Sequence, residues 1–368
     1  MPGTPRTLLT IALLAVPPLH AQTDTAAAIT IGAVIDSYFA WDRNRPEPRD
    51  RALTTTAVRH NEFNVNLAQL SLGYAHHRVR ARATLQAGTS VQANYAAEPT
   101  EGTVSGPSVA RLLQEAYVGL AITPALSIDA GIFFSPIGHE SWISLDNPTY
   151  TRSLTADYTP YYLSGVRGSW QASPRVLAQL QLVNGWQTIG ERNEGKALVA
   201  RVDVRSSERV HLAASGYLGD DQARGAGARL RQFGQLLAQV TPTRNTAAWI
   251  TLDAGREDGR ARTDATWWSA TLIGQRRLTS ALAVAVRAEH YADPRGVLIP
   301  LGDWRGPRVS GVSTGLDVRV SGGALWRVEA RTLQADTRLF PAGAAARPTR
   351  DNVVLVTSLA WRAEQRLR

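Results

Sequence analysis

Arginine is the residue through which this chain can act on charge. Arg78, Arg80 and Arg82 fall at alternate positions, and Arg201 and Arg205, like Arg327 and Arg331, keep the same parity. Arg167, Arg287 and Arg319 stand singly in segments that also alternate. A guanidinium is always charged and presents a planar fork that fits carboxylates and phosphates. On a β-strand, alternate residues share a face, so these side chains would line one wall. Left free, they would draw anions to that wall. Paired with carboxylates, they would fasten the wall to itself. Asp203, Glu289, Asp317 and Glu329 lie two residues from several of them, and both readings stand there. Arg78, Arg80 and Arg82 have no carboxylate in their own segment, so a field of free positive charge is expected from them.

Groupings suited to a reaction are poorer. His139, Glu140 and Ser141 are the residue types of a hydrolase, but consecutive residues do not place nucleophile, base and orienting group in hydrogen-bond order. His76 and His77 adjoin in a turn-like stretch and make a weak metal site. Asp220–Asp221 and Glu257–Asp258 could hold Ca²⁺ or bridge surface lipid, though solvated loop carboxylates explain them as well. There is no phosphate-binding glycine loop, so no cofactor is expected. The chain has no cysteine, which removes disulfides, thiol nucleophiles and cysteine-ligated metals. Its formal net charge of +9 would suit a nucleic-acid partner, but the arginines are scattered rather than gathered in one tract, so none is expected.

The elements that must carry these residues alternate almost throughout. Val79, Ala81, Ala83 and Leu85 oppose Arg80, Arg82, Thr84 and Gln86, and Leu198, Ala200, Val202 and Val204 oppose Arg201, Asp203 and Arg205. Ile29, Ile31, Ala33, Ile35 and Phe39 oppose Asp36 and Tyr38, and similar segments continue to Trp361. This is the period of half-apolar strands. Phe63, Val65 and Leu67 run out of phase with Leu70 and Leu72, which predicts a bulge near Ala68–Gln69. Short connections, such as His76–His77 and Thr123–Ala125, alternate with long ones near 43–60, 90–111, 136–158, 188–194, 220–229, 256–263, 293–306 and 336–350.

Residues 1–21 read as a secretory signal peptide: Arg6, an apolar run from Leu8 to Val16, and Ala21 before a cut at Gln22. The remainder, 22–368, is expected to be one domain. A strict long–short rhythm over about 16 strands fits an all-β, closed, antiparallel, up-and-down transmembrane β-barrel, with the apolar face in lipid. The alternate wall is then the lumen. Arg78, Arg80, Arg82, Arg167, Arg201, Arg205, Arg287, Arg319, Arg327 and Arg331 are its expected lining. Tyr38, Trp41, Tyr74, Tyr162, Trp170, Trp186, Trp268, Tyr291, Trp326 and Trp361 lie near strand ends, where some should form aromatic girdles.

The stretch GIFFSPIGHESWISLDNPTYTRSLTADYTPYYLSG (Gly131–Gly165) resembles the central motif of the OmpL-like β-barrel porins of bacterial outer membranes. LLQEAYVGL (Leu112–Leu120), NGWQ (Asn184–Gln187), QANYAAEPT (Gln92–Thr100) and FNVNLAQLSL (Phe63–Leu72) match in order, and the resemblance covers roughly Ile31 to Gly219. It implies an outer-membrane barrel, with membrane lipids and small hydrophilic solutes as partners and no reaction step. The long third outer loop, 136–158, is expected to fold inward and constrict the bore through His139, Glu140, Asp146, Arg152 and Asp157. Two other functions stay open: a structural or adhesive barrel plugged by its loops, and an outer-membrane hydrolase on a barrel scaffold. Outer-membrane barrels commonly end on an aromatic residue, whereas this chain continues past Trp361 with RAEQRLR. Either that tail hangs into the periplasm or the insertion signal is internal.

Overall fold

The computed structural model describes residues 27–100, 107–259, 265–303, 305–343 and 347–367. The expected signal peptide lies outside them. Sixteen antiparallel strands close into one barrel. They are β1 (Ala28–Asp42), β2 (Phe63–His76), β3 (Val79–Ala87), β4 (Leu113–Ala121), β5 (Leu126–Phe134), β6 (Tyr162–Ser173), β7 (Val176–Val183) and β8 (Ala197–Ser207). Then follow β9 (Val210–Asp220), β10 (Leu230–Thr243), β11 (Thr246–Glu257), β12 (Ala265–Arg277), β13 (Leu282–Ala292), β14 (Arg308–Arg319), β15 (Ala324–Ala335) and β16 (Asp351–Leu367). Each strand pairs with its sequence neighbours, and β16 returns to β1 to complete the closure. No backbone edge is left along the crossing, which hydrocarbon requires because it offers no partner to a free amide.

Burial follows the two-residue period. In β1, Ile29, Ile31 and Ile35 face outward and are exposed, while Asp36 and Tyr38 face inward and are buried. In β3, Val79 and Leu85 are exposed, whereas Thr84 and Gln86 are buried. An arginine on the lipid side near mid-membrane would cost roughly 2–4 kcal/mol, so the Arg80–Arg82 face has to be the inner one. The exposed aromatics Tyr74, Trp170, Trp326 and Trp361 sit at the short-turn ends of β2, β6, β15 and β16, as one girdle requires. Tyr38, Tyr162, Tyr291 and Trp186 do not join a girdle. They face inward, where Tyr162 and Tyr291 are buried and Trp186 packs on Tyr217, Phe233 and Trp267.

Two local expectations are corrected. The bulge in β2 falls at Asn66, where Asp36 pairs with Leu67 and Ser37 with Val65, rather than at Ala68–Gln69. The extra residue is the one whose amide has work inside: Asn66 donates to Asp36 at 2.9 Å and accepts from the Ala57 amide at 3.0 Å. The tail after Trp361 is not a hanging tail either. Arg362 to Leu367 continue β16 and pair with β1, ending at Leu367 opposite Ile29. On the other side β15 stops at Ala324, opposite Trp361, so β16 projects past it.

The long loops gather at one end, taken as the outer one from the barrel rule. Several of them dip between the strands. Ile137 and Leu154 of the third, Val297 and Ile299 of the seventh and Phe340 of the eighth pack on the inward residues Phe133, Val199, Trp267, Val309 and Leu333. The outer end of the lumen therefore gathers apolar residues, with the buried cluster of Arg231, Asp221 and Glu257 beside them.

Candidate functional site: the lumen and its third loop

The third loop leaves β5 at Phe134 and enters β6 at Tyr162. It does not cover the rim but crosses the bore, and strands on the far wall hold it. Near its start, Arg201 of β8 donates to the carbonyls of Pro136 and Gly138, the latter at 3.1 Å. The Gly138 amide donates to Gln235 of β10 at 2.5 Å. His139 meets Thr251 of β11 at 3.2 Å and stacks on Trp249. Thr155 hydrogen-bonds Ser269 and Thr271 of β12 at 2.9 and 2.8 Å. The Leu154 amide donates to Glu289 of β13 at 2.7 Å, and the Thr151 amide to Glu329 of β15 at 2.9 Å. Arg327 donates to the carbonyls of Ser144 and Asn147 at 2.6 and 2.8 Å. Arg362 of β16 forks onto Asp146 at 2.7 and 2.9 Å, and Ser144 donates to Asp36 of β1 at 2.8 Å. A loop that long has many polar backbone groups to satisfy once buried, and the inward polar face of the barrel supplies the partners.

Arg287 is the centre of this contact. Its side chain is fully buried, with Glu289, Glu329 and Glu140 at 3.3, 3.5 and 3.8 Å. It also donates to Thr149, Thr151 and Ser313. Glu289 is shared with Arg331 at 2.8 Å. Glu140 in turn holds Ser153, accepting from its amide at 3.0 Å and from its hydroxyl. Charges this deep are tolerable only when paired and hydrogen-bonded, and here each cation has its carboxylate.

The same holds along the rest of the wall. Arg80 of β3 lies opposite Gly119 of β4, which lies opposite Asp129 of β5, which lies opposite Arg167 of β6. Arg80 reaches over the glycine to Asp129 at 2.8 Å through both Nε and a terminal nitrogen, and Arg167 meets the same carboxylate at 2.8 Å. A Cβ at Gly119 would stand 2.1 Å from Asp129 Oδ1 and 2.7 Å from Arg80 Nε, so the missing side chain is what lets the pair form. Arg167 also lies over the Phe133 ring at 4.5 Å. Arg82 holds Glu115 at 2.6 Å, Arg201 forks onto Asp203 at 2.7 Å, and Arg327 forks onto Asp317 at 2.8 and 2.9 Å.

The expected free field from Arg78, Arg80 and Arg82 is thus corrected. Arg80 and Arg82 face inward but are matched by Asp129 and Glu115, and Arg78 lies in the β2–β3 turn and is exposed. Those partners were missed because they sit on neighbouring strands. Inward parity placed Asp129 and Glu115 on the same wall, so the signal was there. Arg205 and Arg319 have the inward parity of their strands but lie exposed at the short-turn ends. Among the loop residues, Asp146 reaches the wall at Arg362, and Glu140 approaches Arg287. Asp157 does not reach it, pairing with Arg152 inside the loop and accepting from Thr55 at 2.6 Å. Arg152 lies 3.5 Å over the Tyr161 ring.

The residues with hydrolase-like types go separate ways. His139 meets Thr251, Glu140 meets Ser153, and Ser141 Oγ accepts from the Ile143 amide at 3.0 Å. His76 at the end of β2 and His77 in the turn lie with their rings 4.0 Å apart and tilted by 50°. Asp221 accepts from the Trp186 amide and Tyr217, and Glu257 pairs with Arg231. Among the described residues there is no group of His, Asp and Glu arranged to hold a metal ion.

Comparison with known proteins agrees with this architecture. A family model described as "Putative beta-barrel porin-2, OmpL-like" matches residues 28–362. No curated protein matches. An anion-selective porin from Comamonas acidovorans is similar in structure, with TM-score 0.61 and 9% identity over 92% of this chain and 100% of that one. The outer membrane channel DcaP of Acinetobacter baumannii has TM-score 0.61 and 11% identity over 93% and 99%. The in-vitro folded outer membrane protein OmpT of Vibrio cholerae has TM-score 0.58 and 8% identity over 94% and 100%. At these identities the likeness is one of fold.

Proposed function

The chain belongs to the OmpL-like family of β-barrel porins of the bacterial outer membrane, and from that premise we propose that it is a passive pore for small hydrophilic solutes whose narrow zone is set by its third outer loop. One observation carries this reading: the loop spans the bore and is tied to β8, β10–β13, β15, β16 and β1. A sixteen-stranded barrel encloses an aqueous interior, and a loop strung across it leaves the passage to the side of the loop. His139 and Asp146, which are partly exposed, would border that passage, while the buried Glu140, Arg152 and Asp157 would hold the loop in place. Its chemistry is selection by size and by balanced charge, with no reaction step. The arginines at mid-depth fasten the wall and the loop. A preference for anions does not rest on them, since their charges are matched. Removal of residues 1–21 on export belongs to the same reading.

The plugged barrel is favoured by the apolar cluster at the outer end, where loops three, seven and eight meet the wall. Single-channel recording of the refolded full-length chain in a planar bilayer separates the two. A pore gives discrete steps, and deleting Trp142–Tyr150 enlarges them. A deletion variant that folds with unchanged step size would place the loop outside the permeation path. A silent wild type that conducts only after the deletion would establish the plug.

A further inference from the structure

Charge is matched in the middle of the lumen, where Arg287, Arg327 and Arg331 each have a carboxylate. The periplasmic end is different. Arg205 closes the inward series of β8 after Arg201 and Asp203, and Arg319 closes that of β14 after Ser313 and Asp317. Arg277 closes the inward series of β12 after Thr271, Ile273 and Gln275. Among the described residues none of the three has a carboxylate partner. The reason lies one step deeper in the barrel. The inward carboxylate before Arg205 along β8 is Asp203, which Arg201 and His211 already hold, His211 at 2.9 Å. The inward carboxylate before Arg319 along β14 is Asp317, which Arg327 holds with both oxygens. Arg277 lies two strands from Arg319 and within its electrostatic reach, as a like charge. Glu208, in the turn after β8, and Glu364 of β16, two strands from Arg319 on the other side from Arg277, are the carboxylates at this level.

We propose that the periplasmic mouth of the lumen is an anion-collecting vestibule, in which Arg205, Arg277 and Arg319 hold small oxyanions of two or more charges by their unmatched guanidinium groups. It rests on the reading above only in taking the lumen as water-filled at that end. A guanidinium without a partner offers its fork to phosphate or carboxylate oxygens. Each such contact is weak in water, but unpaired charges of one sign around a mouth with low-dielectric walls concentrate counter-ions. Inward parity makes the ligand a dissolved anion rather than a lipid headgroup. Binding is therefore fast, weak and strongly salt-dependent, and it acts on solutes at the inner side of the barrel.

The test is titration of inorganic pyrophosphate into the refolded full-length barrel in a non-ionic detergent, read by calorimetry. That micelle holds no phosphate, so heat reports the free anion. The triple variant R205Q/R277Q/R319Q is expected to bind about tenfold more weakly or worse. An outer-rim control, R43Q/R308Q, is expected to bind like wild type. Fast migration of the unboiled sample in gels, lost on boiling, verifies that each variant is folded. Equal binding by wild type and the triple variant, or no binding by wild type, overturns the proposal. Bilayer recording of the same samples adds a second arm. A shift of the reversal potential toward cations in the triple variant supports the vestibule, and an unchanged reversal potential in a conducting triple variant overturns it. A barrel that binds pyrophosphate without conducting would instead sink the pore while leaving the vestibule in place.

Discussion

At the scale of single residues, the lumen shows how a charged wall can be built without a charged field. Arg287 has three carboxylates around it, so its loss strands negative charge in a dry place. Arg287→Met is expected to destabilise the folded barrel by about 3–5 kcal/mol, the range for breaking a buried pair from one side. Urea midpoints read from the gel-migration shift would measure this, and Arg287→Lys should recover part of it. The first outer loop supplies a residue that responds to pH. The Asp42 amide donates to His60 Nδ1 at 2.9 Å, which requires a neutral ring, and burial pushes the pKa of His60 down against the opposing pull of Asp42. A folded-state value below the unfolded one means that this anchor is at full strength above the ordinary imidazole pKa. It weakens as pH falls toward the folded-state value. Tryptic cleavage after Arg49 or Arg59 should accelerate between about pH 7.5 and about pH 5, after correction for the protease's own pH dependence, and His60→Gln should flatten that profile.

Among the elements, facing was legible in the sequence and pairing was not. Alternation set which side of β3 carries arginine, because a two-residue period leaves no third choice. Cysteines at Val79, Ala81, Ala83 and Leu85 should react with lipid-phase reagents, and those at Arg80 and Arg82 with aqueous ones. The partners of those arginines depend on register between strands, and a single chain read along its length does not display register. Asp129 is 49 residues from Arg80 and Ser144 is 183 from Arg327. The bulge at Asn66 was misplaced for the same reason: phase change marks the neighbourhood, while the side chain that has a partner inside marks the residue. Gly119 puts register to use. Gly119→Val should break the Arg80–Asp129 contact and cost about 1–3 kcal/mol in the same urea assay. Gly234→Ala, with nothing within 4 Å of the added carbon, should be far milder.

For the whole molecule, the fold was legible from the rhythm of long and short connections, and the third loop's inward course from its length and aromatics. The apolar packing of several loops at the outer end was not, because those residues look like ordinary loop residues until the barrel brings them to one place. The refolded protein should fractionate with outer membranes and migrate faster in detergent gels unboiled than boiled. Recovery as a soluble periplasmic protein would contradict the family assignment. The seam between β1 and β16 has one more consequence. Every strand pairs with its neighbour in sequence except at that seam, and there Ile29 lies beside Leu367. In connectivity the chain is a necklace unclasped at one bead, and the place of the clasp carries no structural information. A gene in which a short linker joins the two ends, and which starts and stops between Thr123 and Pro124 instead, specifies the same sixteen pairings in a different order of synthesis. Such a chain should refold in detergent to the same fast-migrating barrel, and a failure to do so would show that order of emergence, rather than geometry, decides which hairpins form.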